Sequence, residues 1–176
     1  NNSAIQVGLA STASAGISNG QVALGLTSTG AGTTSATDIS VGSAIVNVVG
    51  KVYQQAVAAV QSAVNFGIVH VGEVVAARNV QVQNISPVAA LNDTLTGGIG
   101  GAGGPFSTTG SLGSGVMAGQ TDGTSLNVGL NTSTAGIFNG LATVNLASHN
   151  PDMADLILAD ATVLLGAQVN NYANAD

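Results

Sequence analysis

Asp152, Asp155 and Asp160 fall within nine positions of one another beside Pro151, and a hard cation such as Ca²⁺ takes clustered carboxylate oxygens from a loop. These three are the candidate metal ligands. The ligand order of an EF-hand loop is absent around them, Asp160 is expected in a following strand, and Asn-Pro-Asp at 150–152 reads as an ordinary turn initiator. Calcium is the one cofactor the spacing raises. His70 lies between Val69 and Val71, and His149 stands just before Asn150 and Pro151. Neither has a Cys or a second His at a zinc-ligand spacing, so both are expected to be structural. A hydrolytic triad needs Ser, His and Asp, all present here, but no Gly-x-Ser-x-Gly elbow surrounds a Ser at a strand-to-helix junction. The near match Gly113, Ser114 and Gly115 reads as loop. The glycine-rich run 97–104 lacks the Lys-Ser/Thr and the following helix of a phosphate cradle. No catalytic residue emerges, and the chain is expected not to be an enzyme.

Composition sets the surface on which any site must sit. Only 6% of residues are charged and 3% aromatic, against 45% hydrophobic, where an ordinary soluble domain is about 25% charged. The exterior is therefore built from Ser, Thr, Asn, Gln and Gly. Lys51 and Arg78 are the only basic side chains; they make no patch able to neutralise phosphates, which excludes nucleic acid as an expected partner. A net charge of −6 disfavours anionic membranes, and no apolar run reaches the roughly 18 residues of a spanning helix. Zero cysteines leave the redox compartment open. Residues 1–8 carry neither the basic nor the apolar region of an export signal, so any such signal is expected to be removed or to lie upstream.

Short apolar alternations bounded by Gly, Ser, Thr and Asn recur throughout, the pattern of an all-β sandwich. In 78–85, Val80 and Val82 point one way while Asn79, Gln81 and Gln83 point the other. Comparable runs lie at 5–9, 22–26, 45–49, 65–71, 90–95, 126–130, 142–146 and 162–165. The glycine run 97–104 reads as a flexible loop. At 52–64, Val57, Val60 and Val64 are three and four apart, which suits either a short linker helix or an extended linker with docked valines. Asn19-Gly20 and Asn139-Gly140 suit a tight hairpin turn or a glycine inside a strand. Asn84, Asn92 and Asn131 begin glycosylation-type triplets, expected by chance in so Asn- and Ser-rich a chain.

The strongest signal is duplication. Ile5, Val7, Gly8 and Leu9 recur as Leu126, Val128, Gly129 and Leu130, displaced by 121 residues. Gly16, Ile17, Asn19, Gly20, Leu24 and Leu26 recur as Gly136, Ile137, Asn139, Gly140, Val144 and Leu146, displaced by 120. Such self-similarity marks an array of modules. It divides the chain into the back half of one module (1–53), a linker (54–63) and a complete module (64–176).

Residues 64–73, Val-Asn-Phe-Gly-Ile-Val-His-Val-Gly-Glu, resemble the opening of immunoglobulin-like modules of the ASH type. With 128–140, 148–155 (Ser-His-Asn-Pro-Asp-Met-Ala-Asp) and 168–174, they are similar to bacterial choice-of-anchor D modules of large exported surface proteins. The resemblance covers about 64–175 and implies an immunoglobulin-like β-sandwich of about seven strands, used as a spacer or binding module, with no catalytic residues to carry over. The first copy departs from it, having 30–37 in place of the Asn-Pro-Asp-Met-Ala-Asp phrase.

Two back halves and one front half leave one back half over, and about 50 residues of strand cannot bury enough apolar surface to fold alone. The expected function is a structural subunit or tandem-module segment of an extracellular bacterial filament or surface adhesin. It is completed by strands from copies of itself or from adjacent modules, without membrane insertion. The alternative is a carbohydrate- or ice-binding β-module of a secreted protein, but the strict Thr-x-Thr period that would serve it is missing.

Overall fold

In the computed structural model, which describes residues 5–174, all regular structure is β and no helix occurs among the described residues. The outermost positions of the expected domains, 1–4 and 175–176, lie outside the described residues. The chain divides into two units, Asn1–Val52 and Tyr53–Asp176.

The first unit is an antiparallel hairpin of β1 (Gly16–Ser28) and β2 (Ile39–Val52). Asn19 and Gly20 lie inside β1 opposite Val49 and Val48, so this Asn-Gly pair makes no turn. The run 5–9 was expected to be a strand and is not one.

The second unit contains β3 (Ala58–Val60), β4 (Ala63–His70), β5 (Arg78–Asn84), β6 (Thr94–Gly100), β7 (Phe106–Thr109), β8 (Thr121–Leu130), β9 (Gly136–His149), β10 (Leu156–Ile157) and β11 (Ala161–Asn170). One sheet runs β3-β5-β8-β7. The other runs β4-β11-β9, with β6 and the short β10 on opposite edges of β9 and β4 parallel to β11. Taken in chain order, this is the A-B-E-D and C-F-G division of an immunoglobulin sandwich, with the first strand shared between the sheets. Alternation along both sheets supplies the core: Val80, Val82, Leu126 and Val128 on one side meet Ala142, Val144, Val163 and Leu165 on the other, all at most 3% exposed. Phe66 stacks on Phe106 with ring centroids 6.1 Å apart, and the Arg78 guanidinium lies 5.5 Å from the Phe66 centroid, occupying that cation.

Two expectations fail for the same reason. Residues 54–63 form neither a helix nor a plain linker: Ala56 is 1% exposed in the core, and β3 pairs with β5. The three-and-four valine spacing is overruled because the free edge of β5 satisfies backbone groups that a short isolated helix would satisfy only marginally. Likewise the first half of the glycine run 97–104, expected to be a loop, belongs to strand β6, while 101–104 is loop. The glycines serve close approach. A Cβ on Gly97 would overlap the Asn145 carbonyl oxygen across the ladder. Gly97→Ala is accordingly expected to lose roughly 2 kcal/mol or more of stability, read as a lower urea midpoint with an unchanged slope; an unaltered midpoint would show that β6 does not sit this close to β9. The expected run at 90–95 contributes only its last two residues to β6.

Candidate functional site

The aspartates singled out by spacing fall in the β9–β11 connection, 150–160, and part company there. Asp152 accepts a hydrogen bond from the Tyr53 hydroxyl at 2.6 Å, and its own N–H donates to Asn150 Oδ1, the Asx-type turn that Asn-Pro-Asp foretold. Asp155 pairs with His149 Nδ1 at 2.6 Å. Asp160 ends the connection immediately before β11 rather than inside it. Among the described residues no group of three His, Cys, Asp or Glu is placed to hold a metal ion. The structure does not gather Asp152, Asp155 and Asp160 into a calcium site: Asp152 bonds Tyr53, Asp155 pairs with His149, and Asp160 stands at the entry to β11. His70, at the end of β4, stacks flat on Tyr172 with centroids 4.4 Å apart, and its backbone N–H donates to the Glu73 carboxylate. Gly113, Ser114 and Gly115 lie in the turn between β7 and β8.

A buried polar cluster lies where no chemical motif marked it. Asn84 continues the inward parity of Val80 and Val82 but is polar and fully buried. Its Oδ1 accepts from the Val57 and Ser86 N–H groups and the Ser86 hydroxyl; its Nδ2 donates to the carbonyls of Asp93 and Val116. Asp93, 6% exposed, accepts from the Ser148 hydroxyl at 2.7 Å and from Asn150 Nδ2 at 3.0 Å, while Ser148 Oγ also accepts from the Ala56 N–H. The cluster ties β5, β6, β9 and the segment before β3 together at one end of the sandwich, and every buried side-chain polar atom among the described residues has a partner. The signal was present in the sequence as a polar residue on the apolar parity of an alternating strand. It also settles the first glycosylation triplet, since a fully buried Asn84 is closed to modification in the folded chain.

Asp122 opens a bulge. Val80 faces Leu126 but Val82 faces Asp122, so 123–125 swell out opposite Gln81. Asp122 accepts hydrogen bonds from the Ser125 hydroxyl and the Ser125 and Thr124 N–H groups, which hold its carboxyl below the ordinary 3.8. A depressed carboxylate contributes stability above its unfolded pKa and loses it as pH falls through the folded one. Asp122→Asn is therefore expected to lower stability at pH 7, where the ionised carboxylate contributes, and to converge with the parent below about pH 4, so that the acid limb of the stability curve flattens; an acid limb identical to the parent's would show that these bonds do not bias protonation.

No family model matches the sequence, and no curated protein matches it. Among solved structures the chain is similar to the VesB protease of Vibrio cholerae, at 13% identity and a TM-score of 0.45, covering 63% of this chain and 31% of that one. It is also similar to the ASH/PapD-like domain of human CEP192, at 10% identity and a TM-score of 0.45, covering 66% of this chain and 87% of that one. The chain thus spans less than a third of the VesB chain. The immunoglobulin-like assignment rests on the strand order itself.

The surface that remains is the β1–β2 hairpin. Its pairing matches β9–β11: Gly16 faces Val52 as Gly136 faces Val169, and Val22 faces Val46 as Ala142 faces Val163. The row Val22, Leu24, Leu26, Val46, Val48 and Val52 therefore corresponds to the core face of the second unit. No described residue of the first unit is buried, and Leu26 and Val46 are 46% and 43% exposed. Across this row lies the segment 5–9, its Leu9 side chain over Gly50. The same apolar row that forms core in the second unit is thus open to solvent in the first.

Proposed function

We propose that the chain is a structural module of an exported bacterial filament or surface adhesin, in which immunoglobulin-like units are completed and joined by strands of a neighbouring module, from a longer chain or from another copy. One observation carries the reading: a duplicated hairpin whose core face is closed in one copy and open in the other, within a chain with one set of covering strands. The sparse charge supports it, because an uncharged Ser-, Thr- and Asn-rich exterior suits a spacer rather than a binder of charged ligands. The sequence resemblance to choice-of-anchor D modules supports the bacterial surface setting. No helix among the described residues is long and apolar enough to cross a membrane. Antibody raised against the chain is expected to label intact, unpermeabilised cells of the producing organism, with immunogold along extended material. Label confined to the cytosol would overturn the proposal.

A further inference from the structure

Accepting that the chain is a module of an array, we infer that the open face of the β1–β2 hairpin is closed by a second front half, with strands arranged like β3 to β7 and the start of β8, from a neighbouring module placed N-terminal to it.

The second unit shows what the hairpin face is built to meet. There the equivalent row packs against Val80, Val82, Leu126 and Val128, each at 0% exposure, so the occupant presents an apolar, β-branched sheet face. The edges are unfilled as well. β9 has β6 beyond it and β11 has β4 beyond it, whereas among the described residues β1 and β2 pair only with each other. An occupant that supplies only a face would leave both ladders open; a module front half supplies the face and both edge strands.

Stoichiometry rules against a second copy as the occupant. Each chain has two hairpins of this kind and one front sheet, so any number of copies leaves one hairpin per chain without a cover. A copy could close β1–β2 only by expelling its own β9–β11, whose Ala142, Val144 and Val163 are fully buried. Chain order gives the direction. Residues 5–9 repeat 126–130, the second half of β8, and in the complete module everything before that point is front half. The same five-residue pattern is a strand at 126–130, between β5 and β7, and is not one at 5–9, where neither neighbour is present.

Amide hydrogen exchange read by mass spectrometry tests this on two chains: the 176-residue protein, and the same protein with a second copy of its residues 53–125 fused directly ahead of Ile5. In the first chain β9–β11 amides are expected to be slow and β1–β2 amides fast, with sedimentation as a monomer. In the second, β1–β2 and residues 5–9 are expected to slow by about a hundredfold or more, with Leu24→Asp abolishing that gain but sparing β9–β11. The native β9–β11 protection reports folding in every sample. Unchanged fast exchange of β1–β2 in the fused chain, with β9–β11 protected, would overturn the inference. So would self-association of the 176-residue chain with β1–β2 protected, which would make a second copy the occupant. Surface labelling and this protection can fail separately: cytosolic label leaves the closure intact, and absent protection leaves the location intact.

Discussion

Truncating Leu146 to alanine is expected to cost the second unit about 2–5 kcal/mol of unfolding free energy, whereas Leu26→Ala, the matching residue of the first copy, is expected to change that transition by no more than about 0.5 kcal/mol. The two leucines occupy equivalent places, 120 positions apart, but Leu146 is 3% exposed within the core and Leu26 is 46% exposed. The removed side chain is the same in both variants; only the environment differs. At Leu146 the deletion loses transfer free energy and leaves a cavity lined by neighbours held by two sheets. At Leu26 water already reaches the site, so neither loss arises. Urea unfolding of both variants decides the matter. Equal losses would mean that the hairpin is already enclosed, and the proposal of an open face would fall with that result.

The second large effect is expected at Asn84. Asn84→Ala should lower stability by about 3–5 kcal/mol, because the side chain satisfies two backbone N–H groups, a hydroxyl and two carbonyls, all at a position with no access to water. Removing one partner from a buried network leaves the others desolvated and unpaired, which costs more than the bonds contributed in net terms. Asn84→Asp separates the two sides of the network. It retains the acceptor toward Val57 and Ser86 but sets carboxylate oxygen against the Asp93 and Val116 carbonyls, and is expected to be at least as damaging as the alanine variant near neutral pH. It should recover in acid, as the added carboxyl protonates. A loss below about 1 kcal/mol for Asn84→Ala, measured by calorimetry or urea, would show that water enters and replaces the amide.

Much of the architecture was legible because strand alternation is a local property. Val80 and Val82 fell on the buried parity, and the repeat correctly matched Gly16 with Gly136. What escaped reading depended on partners distant in the chain. Gly97 looked flexible in isolation and is held in a ladder because its missing Cβ admits the Asn145 carbonyl. Asn19-Gly20 and Asn139-Gly140 suited either a turn or a strand, and their partners in β2 and β11 place both mid-strand. The aspartates at 152, 155 and 160 were close in sequence, but closeness along a loop does not make carboxylates converge once Asp152 bonds Tyr53 and Asp155 pairs with His149. Asn84 was readable as an anomaly of parity; its five hydrogen bonds were not, since they reach four other segments.

By itself the sequence determined the all-β character, the uncharged exterior and the duplication, since residue type and period 2 act locally on any chain that carries them. Tertiary structure decided which copy became a core. Ile5, Val7 and Leu9 carry the same apolar alternation as Leu126, Val128 and Leu130. Only the second set is strand and largely shielded, because a β-strand exists through ladder bonds to neighbours, and β5 and β7 stand beside one copy and not the other.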